Sequence, residues 1–351
     1  MPSFVYSKGF KTFLACLCIG LATSFLSLVM VVCDHFMRPS IQTAEMAPLQ
    51  EPKTSIFTDV VGVQARLERE MSQYLDQLED KEEIAIAIES NDGFVQYLWN
   101  GDKVFEAASL YKLPLAMYFC DQIEATNLSL TSSIEYTEDS MREEGWNPIG
   151  EMYGVGANIP LQEVIESSLT NSDNIAAAIL YNHLGGWEQF ATIEQQYSPY
   201  AAKPTEPLDN VCTAKQVLDE LRLVQENATR YDLIISSLSQ AQSDEYLNAH
   251  IPNGTMAQKY GQLEGLTNAA GFSITGAPYR IVVLSMSGQC EQDAGRINEI
   301  VWRIFNEALG NSVEVSENEK NPPIQEEPAA LETSSLQELQ FEILERQEES
   351  F

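Results

Sequence analysis

Residues 105–112 of the chain read FEAASLYK, and a mainly apolar run, residues 113–119, follows them. The apolar run predicts a buried helix that begins near Ser109. Because residues i and i+3 are neighbours at a helix start, Ser109 and Lys112 are expected on one face. A partly desolvated lysine loses its proton more easily and can accept one from a serine hydroxyl. Ser109 is therefore a candidate nucleophile, placed where the helix dipole favours a developing oxyanion.

Two more short motifs follow, and their order matters more than any one of them. Ser-x-x-Lys alone is common, and its ordinary interpretation is an N-cap serine followed by a solvated lysine. Ser172-Asp173-Asn174 lies at the start of a predicted helix, and Lys259-Tyr260-Gly261 lies at the end of a predicted strand. Each motif falls where a shared site would need a polar group, which favours one active site built from all three.

Hydrophobic periodicity around the motifs predicts one folded domain over residues 58–310. Apolar residues recur at steps of three or four over Val60–Leu78 and Asp293–Leu309, which predicts two amphipathic helices. Helical patterns dominate from about residue 109 to 247, and turn residues separate the strand-like runs elsewhere. The predicted strands are Ile84–Ile88, Phe94–Trp99, Thr255–Tyr260, Ala269–Thr275 and Tyr279–Ser287. This order of elements predicts an α+β fold with an antiparallel sheet.

These elements resemble the serine β-lactamase and penicillin-binding superfamily, and most of all its class A β-lactamase branch. The resemblance covers residues 58–310 and includes the opening helix, the hairpin, the three motifs and the final helix. It implies a β-lactamase/transpeptidase-like fold, in which a five-stranded antiparallel sheet packs with the terminal helices beside an all-helical subdomain. It also implies a serine hydrolase that opens a small-molecule β-lactam without a metal or another cofactor.

The resemblance assigns catalytic roles residue by residue. Ser109 would be acylated, with Lys112 as the general base or its proton relay. Ser172 would pass a proton to the leaving nitrogen, while Asp173 would point inward. These roles make Ser109, Lys112 and Ser172 the expected catalytic residues.

It also implies which positions bind the substrate. Asn174 would bond the substrate's side-chain amide and Lys112, and Lys259 would face a substrate carboxylate. Gly261 would let the substrate lie close to its strand. The backbone N–H groups of Ser109 and Gln262 would form the oxyanion hole.

Tyr260 departs from the pattern of the family. The middle residue of the third motif is generally Thr or Ser, whose hydroxyl bonds the substrate carboxylate. A phenol can donate a hydrogen bond as well, but it is larger and depends on the backbone direction. The substrate specificity implied at this position is therefore open.

The loop that would support deacylation also departs from the family. Class A enzymes place a glutamate and an asparagine four residues apart, and the glutamate activates the hydrolytic water. Glu206 and Asn210 have that separation, but Asp209 stands where leucine is usual. Thr213 and Gln216 predict a capping box that starts the next helix, over 213–224, and so shortens the loop. Glu206 is either the deacylating base or a solvated carboxylate.

Two other functions fit the same motifs, and some of the residues have purely structural interpretations. A D,D-peptidase or penicillin-binding protein would use the same acylation on cell-wall peptides and deacylate slowly. A non-catalytic binding module is a second alternative, although a site that has lost its activity has no physical need for the complete set of motif residues.

Trp146 and Tyr153 either wall the substrate groove or only pack their loop, and Glu166 is expected on a helix surface.

Composition argues against a nucleic-acid partner. The 351 residues include 20 Lys and Arg against 52 Asp and Glu, a net charge of −32. Such a chain is repelled by phosphate backbones. Three cysteines lie in or beside the N-terminal apolar run, and Cys120, Cys212 and Cys290 are an odd, widely spaced set that cannot form a complete disulfide framework. The three histidines are not at ligand spacing from any cysteine pair, so a zinc cluster is not expected.

An uncharged N-terminal run predicts a membrane anchor. Residues 12–33 carry no charge, and a helix of that length spans the roughly 30 Å hydrocarbon layer. A cleaved signal peptide would have a shorter apolar part and a small-residue cleavage site, and a lipid on Cys33 is a weaker alternative. Two lysines precede the run, so we expect residues 1–11 in the cytoplasm. Residues 34–57 would then be an extracytoplasmic stalk, with the catalytic domain outside a single-pass cell-membrane anchor.

The C-terminal segment is strongly acidic. Residues 311–351 carry 2 basic and 11 acidic groups, and they contain three prolines. This composition predicts a disordered tail. Ser335 and Glu338 could still cap a short helix that docks on an unidentified partner.

Overall fold

The computed structural model describes residues 54–126, 128–142, 145–203 and 209–311. Several sequence predictions fall outside these ranges: the cytoplasmic segment, the anchor, nearly all of the stalk, Glu206, and the acidic tail beyond Asn311. Within the ranges, none of the helices combines the length and the apolar character needed to cross a membrane.

The strands of the described residues form one large sheet and two short ladders. The large sheet has five strands in the order β2-β1-β9-β8-β7, and every neighbouring pair is antiparallel. Strand β3 pairs with β6, and β4 pairs with β5. In chain order the strands are β1 (Ile84–Ser90), β2 (Gln96–Trp99), β3 (Phe105–Glu106), β4 (Ser133–Glu135), β5 (Asn158–Pro160), β6 (Val211–Cys212), β7 (Met256–Leu263), β8 (Leu266–Ser273) and β9 (Tyr279–Ser285).

The α-helices divide into a terminal pair and a group inserted between β3 and β7. The terminal helices α1 and α9 pack against each other and against the large sheet. In chain order the helices are α1 (Val60–Leu75), α2 (Lys112–Ala125), α3 (Pro148–Met152), α4 (Leu161–Thr170), α5 (Asn174–His183), α6 (Trp187–Glu194), α7 (Ala214–Glu226), α8 (Asp232–Ser239) and α9 (Cys290–Ala308). The predicted α+β class is confirmed. The inserted region is not purely helical, because the β4–β5 ladder lies within it.

Strand β1 shows why the sheet can separate two cores. Its seven residues are all buried, and isoleucine alternates with alanine over residues 84–88. The isoleucines belong to the core shared with the terminal helices, and the alanines to the core shared with the inserted helices. Because successive side chains of a strand point to opposite faces, the small residues let the helical region approach one face while the large ones fill the other.

The edge strand β7 is longer than the sequence predicts. We expected a strand over Thr255–Tyr260, but the strand continues to Leu263 and turns through Glu264 and Gly265 into β8. Gly265 has a φ of +73°, which the tight hairpin turn requires and which glycine adopts readily because it has no Cβ. Glycine is a poor strand former, so the local pattern ended the predicted strand before Gly261, whereas pairing with β8 continues the strand to Leu263.

Two buried glutamates, one on α6 and one on α7, interact with each other. Glu194 ends α6, Glu220 lies on α7, and both side chains are buried. Burial raises the pKa of Glu194 from 4.5 to about 7. Burial and the charge of Glu194 raise the pKa of Glu220 well above its usual value. The folded protein therefore holds protons here that the unfolded chain releases.

Replacing Glu194 with glutamine should change how stability depends on pH. Because the folded pKa is raised, wild-type stability falls as pH rises from about 4.5 to about 7 and stays reduced above that. Glu194→Gln removes this penalty, which is about 3 kcal/mol at full ionisation. Thermal unfolding should show the variant gaining stability over wild type at pH 8 but not at pH 5. Glu188→Gln, at an exposed position on the same helix, should show no such difference, and equal behaviour of both variants would contradict the prediction.

Candidate active site

Ser109 lies in a strained turn that leads directly into helix α2. The 3₁₀ turn Ala108–Tyr111 continues as α2 from Lys112, and Ala108 has a φ of +47°. Such a conformation costs about 1–3 kcal/mol for a residue other than glycine. The amide Nδ2 of Asn210 donates to Ala108 O at 2.7 Å, and Asn268 Nδ2 donates to Glu106 O at 2.8 Å. Side chains from two other segments therefore hold the turn in place.

Lys112 is the centre of the site. Its Nζ lies 3.0 Å from Ser109 Oγ, 2.7 Å from Asn174 Oδ1 and 2.5 Å from Ser172 O. The side chain is fully buried. Burial lowers the pKa of Lys112 to about 7, although the nearby Asp173 carboxylate acts in the opposite direction. At neutral pH a substantial fraction of Lys112 is therefore neutral and able to accept a proton from Ser109.

Ser172 lies within reach of two lysines. Its Oγ accepts from Lys259 Nζ at 3.0 Å and lies 3.3 Å from Lys112 Nζ. Its backbone φ is +56°, a second strained residue in the site. Burial and the charge of Lys112 lower the pKa of Lys259 well below its usual value. This arrangement lets Ser172 exchange protons with either amine.

Asp173 fixes the turn that carries the second motif. It points inward, as the resemblance implied, and is fully buried. Its carboxylate accepts from Ala176 N at 2.9 Å, Ile149 N at 2.8 Å and Ser167 Oγ at 3.0 Å. The first of these bonds caps α5. Asp173 thus orients its two neighbours without contacting the cleft.

Position 261 has to be glycine because strand β7 lies directly against the backbone of Ser109. A Cβ at position 261 would lie 2.7 Å from Ser109 N and 2.9 Å from Ala108 Cβ. The sequence predicted that Gly261 lets a substrate lie close to its strand, and that stays a prediction. The structure adds that the missing side chain lets β7 lie directly against the Ser109 turn. The two N–H groups expected to form the oxyanion hole, those of Ser109 and Gln262, therefore belong to segments in contact.

An open cleft of about 290 Å³ lies over Ser109, and its lining includes Asn174, Asn210 and Gln262. Arg142 also lines the cleft, and its guanidinium donates to Tyr181 Oη. Sequence reasoning missed Arg142, because it lies in a loop with no periodicity and no motif.

Within the described ranges, no group of three or more His, Cys, Asp or Glu side chains is arranged to hold a metal ion.

Other predicted residues lie outside the cleft lining. Trp146 is 62% exposed, and the Tyr153 hydroxyl donates to Glu163 at 2.9 Å, so Tyr153 fastens its loop to α4. Glu166 lies on the surface of α4 and accepts from Gln162. Thr213 caps α7 as predicted, by accepting from Gln216 N at 3.1 Å. The capping box is incomplete, because the Gln216 side chain is bonded instead to Ala202 N and to the Glu220 carboxyl group.

Known proteins resemble this chain in both sequence and fold. Residues 66–308 match the family model described as the Beta-lactamase enzyme family. The chain belongs to this family. Individual curated relatives are distant: β-lactamase VEB-1 of Pseudomonas aeruginosa is 31% identical over 87 residues, 25% of this chain and 29% of the relative. Extended-spectrum β-lactamase PER-1 of the same organism is 28% identical over 107 residues, 30% of this chain and 35% of the relative. The chain therefore aligns with only about a third of each relative's length.

Several solved structures share the fold of this chain. TLA-1 extended-spectrum β-lactamase has a TM-score of 0.61 at 20% identity, covering 69% of this chain and 98% of its own. A β-lactamase from Chitinophaga pinensis has a TM-score of 0.59 at 22% identity, covering 68% and 98%. PBP-A has a TM-score of 0.59 at 17% identity, covering 70% and 97%. The predicted β-lactamase/transpeptidase-like fold is confirmed.

Proposed function

We propose that this family member is a membrane-anchored, extracytoplasmic serine hydrolase that opens β-lactam amides through an acyl-enzyme on Ser109. The observation that carries the proposal is the position of the buried Lys112 amine, 3.0 Å from Ser109 Oγ. A buried amine whose pKa is near 7 can act as a general base at neutral pH. The catalytic residues are Ser109, Lys112 and Ser172.

The acylation step follows from these contacts. Ser109 Oγ attacks the lactam carbonyl carbon while its proton passes to Lys112 Nζ. The N–H groups of Ser109 and Gln262 stabilise the oxyanion. When the carbon–nitrogen bond breaks, the ring nitrogen receives a proton from Ser172 Oγ, which is replenished by an adjacent lysine. The product is an ester of Ser109, with the opened ring still attached.

Deacylation decides between a β-lactamase and a penicillin-binding protein. A water activated by a carboxylate would attack the ester and release Ser109, and Glu206 is the candidate on sequence grounds. Asn210, four residues later, lies in the cleft beside the Ser109 turn. The similarity of the fold to PBP-A, together with the short loop before α7, favours a D,D-peptidase or penicillin-binding protein as the second candidate.

The membrane location is proposed from the uncharged run at residues 12–33 and from the two lysines before it. The full chain should stay in the membrane fraction after an alkaline wash, and a chain lacking residues 1–57 should not. Recovery of the full chain in the wash would refute the anchor.

The full chain should form a covalent adduct with benzylpenicillin at Ser109. Intact mass should rise by the whole mass of the drug, because ring opening releases no fragment. Ser109→Ala should abolish the adduct, while Ser129→Ala, at an exposed serine, should keep it. At saturating drug, the absence of both an adduct and hydrolysis of the drug would refute the enzymatic proposal.

The lifetime of that adduct tests deacylation in the same experiment. Loss within seconds identifies a β-lactamase, and persistence for hours identifies a penicillin-binding protein. If Glu206 activates the water, Glu206→Gln should lengthen the lifetime without slowing adduct formation. An unchanged lifetime would exclude Glu206 from this role.

The rate of acylation should depend on the protonation of Lys112. Because the neutral amine is the base, the rate constant should rise with pH below about 7 and level off above it. Lys112→Arg should lower the rate by about 10²–10⁴, since a guanidinium stays charged. Lys81→Arg, at a surface ion pair with Asp76, should leave both rate and profile unchanged. A flat profile between about pH 5 and 9 would contradict the assignment.

A further inference from the structure

The aromatic residue of the third motif covers the ammonium that was expected to face the substrate. Lys259 Nζ lies 4.3 Å from the centre of the Tyr260 ring. That ring stacks on Tyr246, with the two ring centres 4.6 Å apart and an interplanar angle of 14°. A cation at this distance is attracted to the face of the ring. Tyr246 and Tyr260 together form an aromatic cap on Lys259.

Lys259 is enclosed by its partners. The side chain has no exposed surface. Its Nζ donates to Ser172 Oγ at 3.0 Å and to Tyr260 O at 2.7 Å. The residues that line the open cleft include Ser109 and Gln262, but neither Lys259 nor the two tyrosines of the aromatic cap. The Lys259 amine is thus directed at Ser172 and lies against the ring of Tyr260.

The aromatic cap is held in place by its surroundings. Tyr246 has a φ of +51°, a strained conformation that persists only where the fold enforces it. Its hydroxyl donates to Gln262 Oε1 at 3.2 Å. The next residue is fixed on both sides, because Leu247 N donates to Gln258 Oε1 at 2.9 Å and Leu247 O accepts from Asn298 Nδ2 at 2.7 Å. Strand β7 and helix α9 therefore both position Tyr246.

The net negative charge of the domain also disfavours anionic substrates. Residues 58–310 carry 14 basic and 38 acidic groups. A surface of this sign lowers the local concentration of anionic substrates. A site that depended on a substrate carboxylate would need an accessible cation or hydroxyl beside Lys259, where the aromatic cap stands in place of the threonine or serine hydroxyl of the family. Arg142 also lines the cleft, but its guanidinium is bonded to Tyr181 Oη.

We propose that the aromatic cap determines substrate specificity, so that the site takes β-lactams or related amides whose group beside Lys259 is uncharged, with no preference for a carboxylate. The inference rests on the proposed acylation of Ser109. Lys259 then serves the proton chemistry of Ser172, and the ring of Tyr260, which contacts both the Lys259 amine and the ring of Tyr246, keeps that amine from a substrate carboxylate. Tyr246 is a positioning residue that keeps the ring of Tyr260 over the ammonium.

The test compares benzylpenicillin with its methyl ester, which has no charge at that end. Acylation rate constants of the full chain are measured by intact mass for both probes. Wild type should react with the acid and the ester at similar rates. Tyr260→Thr should raise the acid-to-ester ratio about tenfold or more, which is the contribution of one hydrogen bond to a charged group. Tyr246→Leu should raise the ratio as well, because the ring of Tyr260 loses its stacking partner.

Two matched variants separate the effect of the ring from that of its hydroxyl and of its position. Tyr260→Phe keeps the ring and removes the hydroxyl, so the ratio should not change. A tenfold fall in Tyr260→Phe would mean that the phenol donates to a carboxylate, and this result would overturn the proposal. Tyr97→Thr makes the same change as Tyr260→Thr on the opposite edge strand, β2, and should leave the ratio at the wild-type value.

Failure of this inference differs from failure of the proposed function. If wild type strongly prefers the acid and Tyr260→Thr leaves that preference unchanged, the aromatic cap does not set specificity, although Ser109 is still acylated. If neither probe acylates the chain, the hydrolase proposal fails and the cap proposal fails with it. A ratio near one that rises in Tyr260→Thr but not in Tyr260→Phe supports both.

Discussion

Burial of the Lys112 amine is the constraint on which the site depends. An unpaired charge away from water is costly, so a buried lysine needs either oxygen partners or the loss of its proton. Lys112 has both: acceptors at Ser109, Ser172 and Asn174 surround Nζ, and burial brings its pKa to about 7. These acceptors come from segments about 60 residues apart, so the amine is a base only when the whole domain is folded.

Much of the surrounding structure exists to hold that arrangement. Ala108 and Ser172 both have positive φ values, and each strained residue is fixed by bonds from other segments. Strand β7 reaches the Ser109 turn only because position 261 has no side chain. The strained residues thus lower stability at the site, and apolar burial in the two cores on either side of the sheet offsets this cost.

The sequence predicted the fold class well because its signals are local. Alternation over Ile84–Ile88 and the periodicity of the terminal helices follow directly from which faces must be buried. Predictions failed where pairing overrode local preference. Strand β7 continues through Gly261 and Gln262 because β8 supplies a partner for each residue, and the Gln216 side chain bonds elsewhere than at its helix cap.

Sequence alone determined the order of the three motifs and, because residue type limits which side chains can do this chemistry, the candidate nucleophile and base. The role of Ser172 as proton shuttle is what the resemblance to the serine β-lactamases implies. Tertiary structure decided what surrounds them. It brought Arg142 into the cleft, placed two glutamates in one buried cluster and stacked Tyr246 on Tyr260 over Lys259. Such contacts join residues that no spacing relates, and burial, which sets the pKa of an amine, is a property of the packed domain and not of its local sequence.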